Sequence, residues 1–330
     1  MSTINWLFYI NFAIFAVFLT LFITELMGAI LLLLSYEQSR KRVLDHIIPI
    51  WEVTGTFAAF WVVTADFAYP SMLIPVASLF AGYIVVFLIL LVARNASISF
   101  AEYITKHGWL DERKLYQAYA ICTLLIGIVV VMILSAIVSG AGVDLSNLSF
   151  SVTGWLTNPG SVPYLFGVLV IGVGLAPVFY GIDELRRITL PLTVIGVAIE
   201  AGALFLYAST FLTWTFLVPV LLTILPAALY QLSRTASIVS NKVVFAVVGS
   251  LIIFSQTYLV YPTAFHGGIG VDAVTTTGPM VSAFLVLSVA GLVIVGLLMI
   301  FYMAVIGRSN RARGGGAPVG ATITSRPQQL

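Results

Sequence analysis

The sequence predicts an all-α integral membrane protein of nine transmembrane helices, with the N-terminus outside and the C-terminus in the cytoplasm. Three observations carry this prediction. Of the 330 residues, 60% are hydrophobic and only 8% are charged, whereas an ordinary soluble domain carries about a quarter charged residues. The apolar residues gather into runs near the roughly 20 residues that cross a hydrocarbon core. The 15 Lys and Arg residues fall only in alternate connections between those runs, which is the positive-inside pattern.

Taken in order, the runs are 7–34, 48–67, 72–93, 117–139, 162–182, 189–208, 212–230, 242–261 and 280–306. The first has no basic segment before it and is too long for a cleavable signal, so it is a first spanning helix. Arg40, Lys41 and Arg42 follow the first run, and Arg94, Lys106, Arg113 and Lys114 the third. Arg186 and Arg187 follow the fifth, Arg234 and Lys242 the seventh, and Arg308, Arg311, Arg313 and Arg326 the ninth. The other four connections carry none. Runs one to four (1–139) and five to eight (162–261) enter in the same direction, so two four-helix bundles plus a peripheral ninth helix (280–306) are expected. Pro49 and Pro191 open the second helix of each unit, where a missing N–H costs nothing. Pro75, Pro177, Pro219 and Pro226 lie within runs and are expected to kink them. The polar, glycine-bearing, basic segment 308–330 is expected to be a disordered cytoplasmic tail.

Of the 13 acidic residues, nine fall at helix ends or in connections: Glu37, Asp45, Glu102, Asp111, Glu112, Asp183 and Glu184 on the cytoplasmic side, Asp144 and Asp272 outside. Asp66 sits at the outer end of the second span. Three are buried in apolar sequence, where a carboxyl costs several kcal/mol. Glu25 follows Thr24 about ten residues from the cytoplasmic end of span one, roughly 15 Å at helical rise. Glu52 follows Trp51 one turn into span two. Glu200 is central in span six, among Ala198, Ala201 and Gly202, small residues that allow close helix approach. Since no basic residue lies in the interior of a run, these three are expected to be protonated, hydrogen-bonded or facing water rather than ion-paired. Glu52, Glu25 and Glu200 are therefore the proton-transfer candidates, with interhelical hydrogen bonding the alternative role.

Other chemistry is sparse. The lone Cys122 allows no intrachain disulfide or zinc site, and no metal site is expected. A haem between helices needs histidines at depth. His46 precedes span two, and His107 and His266 lie in connections, so no haem is expected on this chain. The net charge of +2 does not bear on nucleic acid, and none is expected as a partner; membrane lipid is. Trp6, Trp109, Trp155 and Trp214 fall near predicted interfaces, while Trp51 and Trp61 share span two with Glu52.

Several segments, in order, resemble subunit II of the cytochrome bd-type quinol oxidases. Thr24-Glu25 in FITELMGA is similar to a Thr-Asp segment of the first helix, and Pro49-Ile50-Trp51-Glu52 to Pro-x-Trp-Asp opening the second. Leu156-Thr157-Asn158-Pro159 before YLFGVLVIGVGLAPVFYG resembles the Asn-Pro that leads into the fifth. Tyr261-Pro262 and the long apolar segment after it resemble the last loop and helix. The sequence departs from that pattern at Gly28, where the family usually has a second acid, and at Val53-Thr54, where it has Gly-Asn.

The resemblance implies a haem-free subunit that stabilises a haem-bearing subunit I with the same nine-helix plan. Haems b and d and quinol oxidation belong to that partner. This chain is then a candidate to supply a cytoplasmic proton path, and some members of the family hold a structural quinone. The implied reaction is quinol oxidation coupled to reduction of dioxygen to water at the cell membrane. The alternatives are a proton-coupled secondary transporter and a quinone-binding membrane anchor of another electron-transfer complex.

Overall fold

A computed structural model describes residues 5–103, 111–208, 216–232, 239–261, 263–265, 268–270, 278–294 and 297. The chain is a multi-pass α-helical membrane protein. The helices are α1 (Asn5–Leu34), α2 (Tyr36–Ala68), α3 (Pro70–Leu79), α4 (Ala81–Tyr103), α5 (Glu112–Ser139), α6 (Val152–Thr157), α7 (Ser161–Tyr180), α8 (Arg186–Ala208), α9 (Leu217–Gln231) and α10 (Lys242–Ser255), followed by α11 (Gly278–Ile294). Among the described residues six helices are long and apolar enough to cross a membrane, while α9, α10 and α11 are apolar but shorter. The described residues also include two small antiparallel strand pairs: β1 (Val143–Asp144) with β2 (Ser149–Phe150), and β3 (Thr263–Ala264) with β4 (Ile269–Gly270).

The contact network divides into residues 1–284 and 285–330. Within the first unit α1 is central: most of it is buried, whereas most of α2 and α4 is not. This is why α1 is apolar on every side; a helix surrounded by neighbours has no polar face to show. It packs on α2, α5, α7 and α10. The closest helix pair is α7 with α8. A Cβ added to Gly196 would stand 2.7 Å from the Ile171 amide nitrogen, and one on Gly167 2.9 Å from that of Glu200. Glycine lets these two backbones touch.

Three helix boundaries differ from those predicted. The polar segment after α1 is not a loop: only Ser35 separates α1 from α2, which begins at Tyr36 and carries Pro49 in its interior. Pro191 likewise lies inside α8 rather than at its start. The predicted span 72–93 is two helices, α3 and α4, broken at Phe80, and α4 runs on to Tyr103. Pairings at the helix ends permit these extensions. Arg40 pairs with Glu112, Arg113 with Glu37 at 3.3 Å, and both arginines lie over the Tyr36 ring. Pro75, Pro177 and Pro226 are inside helices as expected, whereas Pro219 is in the first turn of α9, where no hydrogen bond is lost.

Trp155, which the sequence places near an interface, is packed inside the protein. It is 3% exposed and its indole donates to Ser135 Oγ at 2.9 Å. Lys106, His107, Trp109, Trp214, Arg234, Pro262, His266, Asp272, the end of the ninth run and the tail 308–330 lie outside the described residues.

Candidate functional site

Glu25 faces the interior of the bundle and is wholly buried. It is not isolated, as the sequence suggested, but ion-paired: Arg94, itself buried, points inward from α4 and pairs through Nη2 with Glu25 Oε2. The expectation failed because Arg94 stands within α4, not after it. Tyr119 on α5 donates to the same oxygen at 3.1 Å, and its ring lies 5.2 Å from the Arg94 guanidinium carbon. Arg94 Nη2 also reaches the Tyr119 hydroxyl at 3.4 Å. Three helices, α1, α4 and α5, thus converge on one carboxylate. Its second oxygen and Arg94 Nε have no hydrogen-bond partner among the described residues.

Thr24, one residue earlier, points to the opposite neighbours. Its hydroxyl donates to Leu21 O at 2.7 Å and lies 3.3 Å from His46 Nε2, while the Tyr180 hydroxyl donates to Thr24 O at 2.9 Å. With the Thr24 proton given to Leu21, its lone pair accepts from His46, which sets the Nε2–H tautomer. His46 is therefore inside a helix and 2% exposed, not ahead of one. Its ring packs edge-on against Phe179 and Tyr180, with centroids 4.7 and 5.8 Å away.

The same packing explains the departure at Gly28. A Cβ there would meet Tyr180 Oη at 2.6 Å and Ile47 Cδ1 at 2.7 Å. No second acid fits one turn after Glu25.

Between the Glu25 cluster and the helix ends that carry the basic residues runs a polar seam along α5. Tyr116, one turn before Tyr119, donates to Glu102 of α4, and Glu112, another turn on, takes Arg40. The sequence places Arg94 in a connection and gives no sign that Tyr116 and Tyr119 share its site, because their partners are distant along the chain.

Glu52 is elsewhere. Trp51 is packed against the core, but Glu52 is exposed on the outward face of α2. That face reads Glu52, Gly55, Thr56, Ala59, Val62, Val63 and Asp66, all exposed. It differs from the outward face of α4, where Ile84, Val85, Val86, Leu88, Ile89 and Val92 are exposed. Large aliphatic side chains suit lipid. Small residues between two carboxylates about 21 Å apart suit close approach of another helix.

Glu200 forms a third location. Tyr164 of α7 hydrogen-bonds its carboxyl. It lines an apolar cavity of about 190 Å³ together with residues of α1, α5, α7, α9 and α10. It also borders a void of about 20 Å³, which shares Thr223 and Gln256 with the larger cavity and has room for one water. Glu25, Glu52 and Glu200 are thus three separate settings: an internal ion pair, an exposed helix face and a cavity wall. A fourth polar group, unmarked in the sequence, is Asn11. It donates to Thr64 Oγ1 at 2.9 Å and accepts from Trp61 Nε1 at 3.1 Å and from the Tyr69 hydroxyl. Among the described residues no three His, Cys, Asp or Glu side chains gather as a metal site would require.

No family model matches the sequence, and no curated protein matches it. Among solved structures, the chain is similar to one in the structure of bd oxidase from Geobacillus thermodenitrificans, with a TM-score of 0.68 and 16% identity. The match covers 93% of this chain and 99% of that one. The chain therefore has the fold of a bd oxidase chain.

Proposed function

We propose that this chain is subunit II of a cytochrome bd-type quinol:dioxygen oxidoreductase, a haem-free partner that stabilises a haem-bearing subunit I. The observation that carries the proposal is the near end-to-end likeness of fold to a bd oxidase chain. The ordered segments from Thr24-Glu25 to Tyr261 add to it. In this reading nine helices cross the cell membrane, as two four-helix units (1–139 and 162–261) and a ninth helix, with the N-terminus outside. Haems b and d sit in the partner, where quinol is oxidised and dioxygen reduced to water.

The outward face of α2 supports a membrane-embedded partner. A carboxylate facing lipid is costly, and Glu52 and Asp66 are both exposed there. Glu52, one turn beyond Pro49 in an exposed position, is the leading candidate for proton uptake from the cytoplasm. Glu25 and Glu200 follow, with Trp51 and Thr24 in support. The ion pair with Arg94 gives Glu25 a structural role beside any part in proton transfer, because protonating the carboxylate would strand a buried guanidinium.

Native purification from membranes, with visible spectroscopy and identification of the subunits, tests the proposal. Co-purification with a haem-bearing nine-helix protein is the expected result. A stable haem-free protein that transports a solute, or one that co-purifies with a different electron-transfer complex, overturns it.

A further inference from the structure

The smaller of the two spaces beside Glu200 is built by helical periodicity. Val197, Glu200 and Leu204 stand three and four residues apart, and so on one face of α8. Val220 and Thr223 line the same space from α9, and Gln256 from just past the end of α10. Glu200 lies well inside its helix, about 21 Å from Arg186 and about 12 Å from Ala208 at helical rise.

Three of these side chains are polar, and their hydrogen-bonding capacities are complementary to a water. The Glu200 carboxyl has one bond, to Tyr164, and its two oxygens can take several more. Thr223 gives its proton to Pro219 O at 2.7 Å, so toward the void its oxygen is an acceptor. The Gln256 amide brings donors and an acceptor. A water donates to Glu200 and Thr223 and accepts from Gln256, which makes the three bonds usual for a buried water. A protonated Glu200 can donate as well as accept, so the water is held in either protonation state.

Size selects the same occupant. The void is about 20 Å³, and a buried water requires about 10–15 Å³. A calcium or magnesium ion takes six or more oxygens, and three polar side chains are too few. The rest of the wall is apolar, with Val197, Leu204 and Val220 among it, and supplies no other partner.

We propose that this void binds one ordered water, hydrogen-bonded to Glu200, Thr223 and Gln256, which ties α8 to α9 and to the segment after α10. Glu200 is then a water-holding residue. The site lies within this chain and stands whichever complex the protein joins.

Cryo-electron microscopy of the intact complex, at a resolution that shows ordered water, tests it. The unmodified protein should show one peak within about 3.2 Å of Glu200 and of at least one of Thr223 and Gln256. Val220→Leu, which fills the void from α9, should lose the peak; if it does not assemble, Val197→Leu fills the void from α8. Thr223→Val with Gln256→Leu leaves a single partner and should also lose it, while Glu200→Gln should keep it. No peak beside Glu200 where other buried waters are seen overturns the proposal. So does a direct Glu200–Gln256 hydrogen bond that closes the void, density too large for water, or a peak that survives the filling or the paired substitution.

Discussion

Arg94 and Glu25 form an ion pair wholly inside the helix bundle, their side chains 3% and 0% exposed. It joins the central helix α1 to the peripheral α4, and Tyr119 ties α5 to both. Removing one charge strands the other in a low-dielectric interior; removing both does not.

Glu25→Leu and Arg94→Met should therefore each lower stability by about 3–5 kcal/mol, and the double variant by clearly less than either. Thermal unfolding of the purified complex in detergent measures this cycle. Additive losses would show that the two side chains act independently.

Gly28 offers a packing test of the same region. Gly28→Ala forces Tyr180 Oη and Ile47 away from a new methyl group, and overpacking of this kind costs about 1–3 kcal/mol. Adding Tyr180→Phe removes the closer contact and should recover part of the loss in the melting temperature. Gly28→Asp adds a buried carboxylate without a partner and should not yield folded protein.

Outside the helices, the β1–β2 turn should respond to pH. Hydrogen bonds from the Ser146 hydroxyl (2.6 Å), the Asn147 amide (2.8 Å) and the Ser146 backbone (2.9 Å) hold the Asp144 carboxyl down to about 2. A depressed acid stabilises the fold above its unfolded pKa and loses that contribution as pH falls through the folded one. The turn should keep its order above about pH 4 and loosen toward pH 2. The protection factors of the Ser146 and Asn147 amides, which donate to Asp144, should fall across that window, and Asp144→Asn should flatten the dependence.

The helices were legible because twenty apolar residues have few alternatives in a membrane, and Glu25 and Glu200 stood out against that background. Arg94 and His46 did not. A span ended at the first charge stops at 93 and begins at 48, which leaves both residues in loops. The helices instead run through their charges, because Glu37, Glu102 and Glu112 find Arg113, Tyr116 and Arg40 on neighbouring helices. Those partners are distant in sequence, so no local pattern reveals them. The exposure of Glu52 was likewise hidden: only the packing of α2 decides which of its faces turns outward.

That exposure gives Glu52 its test. Within the proposed complex, Glu52→Gln preserves the side chain's shape and removes its titrating group, while α2 keeps its buried contacts through Phe57, Thr64 and Ala65 on other faces. If Glu52 takes up protons, quinol-driven oxygen consumption should fall by about 100-fold or more, the usual weight of a positioned acid or base, with the haem spectrum and subunit ratio unchanged. If Glu52 instead anchors a partner helix, the same substitution should reduce the yield of assembled complex while the turnover of what remains is normal. Oxygen uptake normalised to haem, beside the subunit ratio on a native gel, separates the two. Unchanged turnover with unchanged assembly would remove Glu52 from both roles.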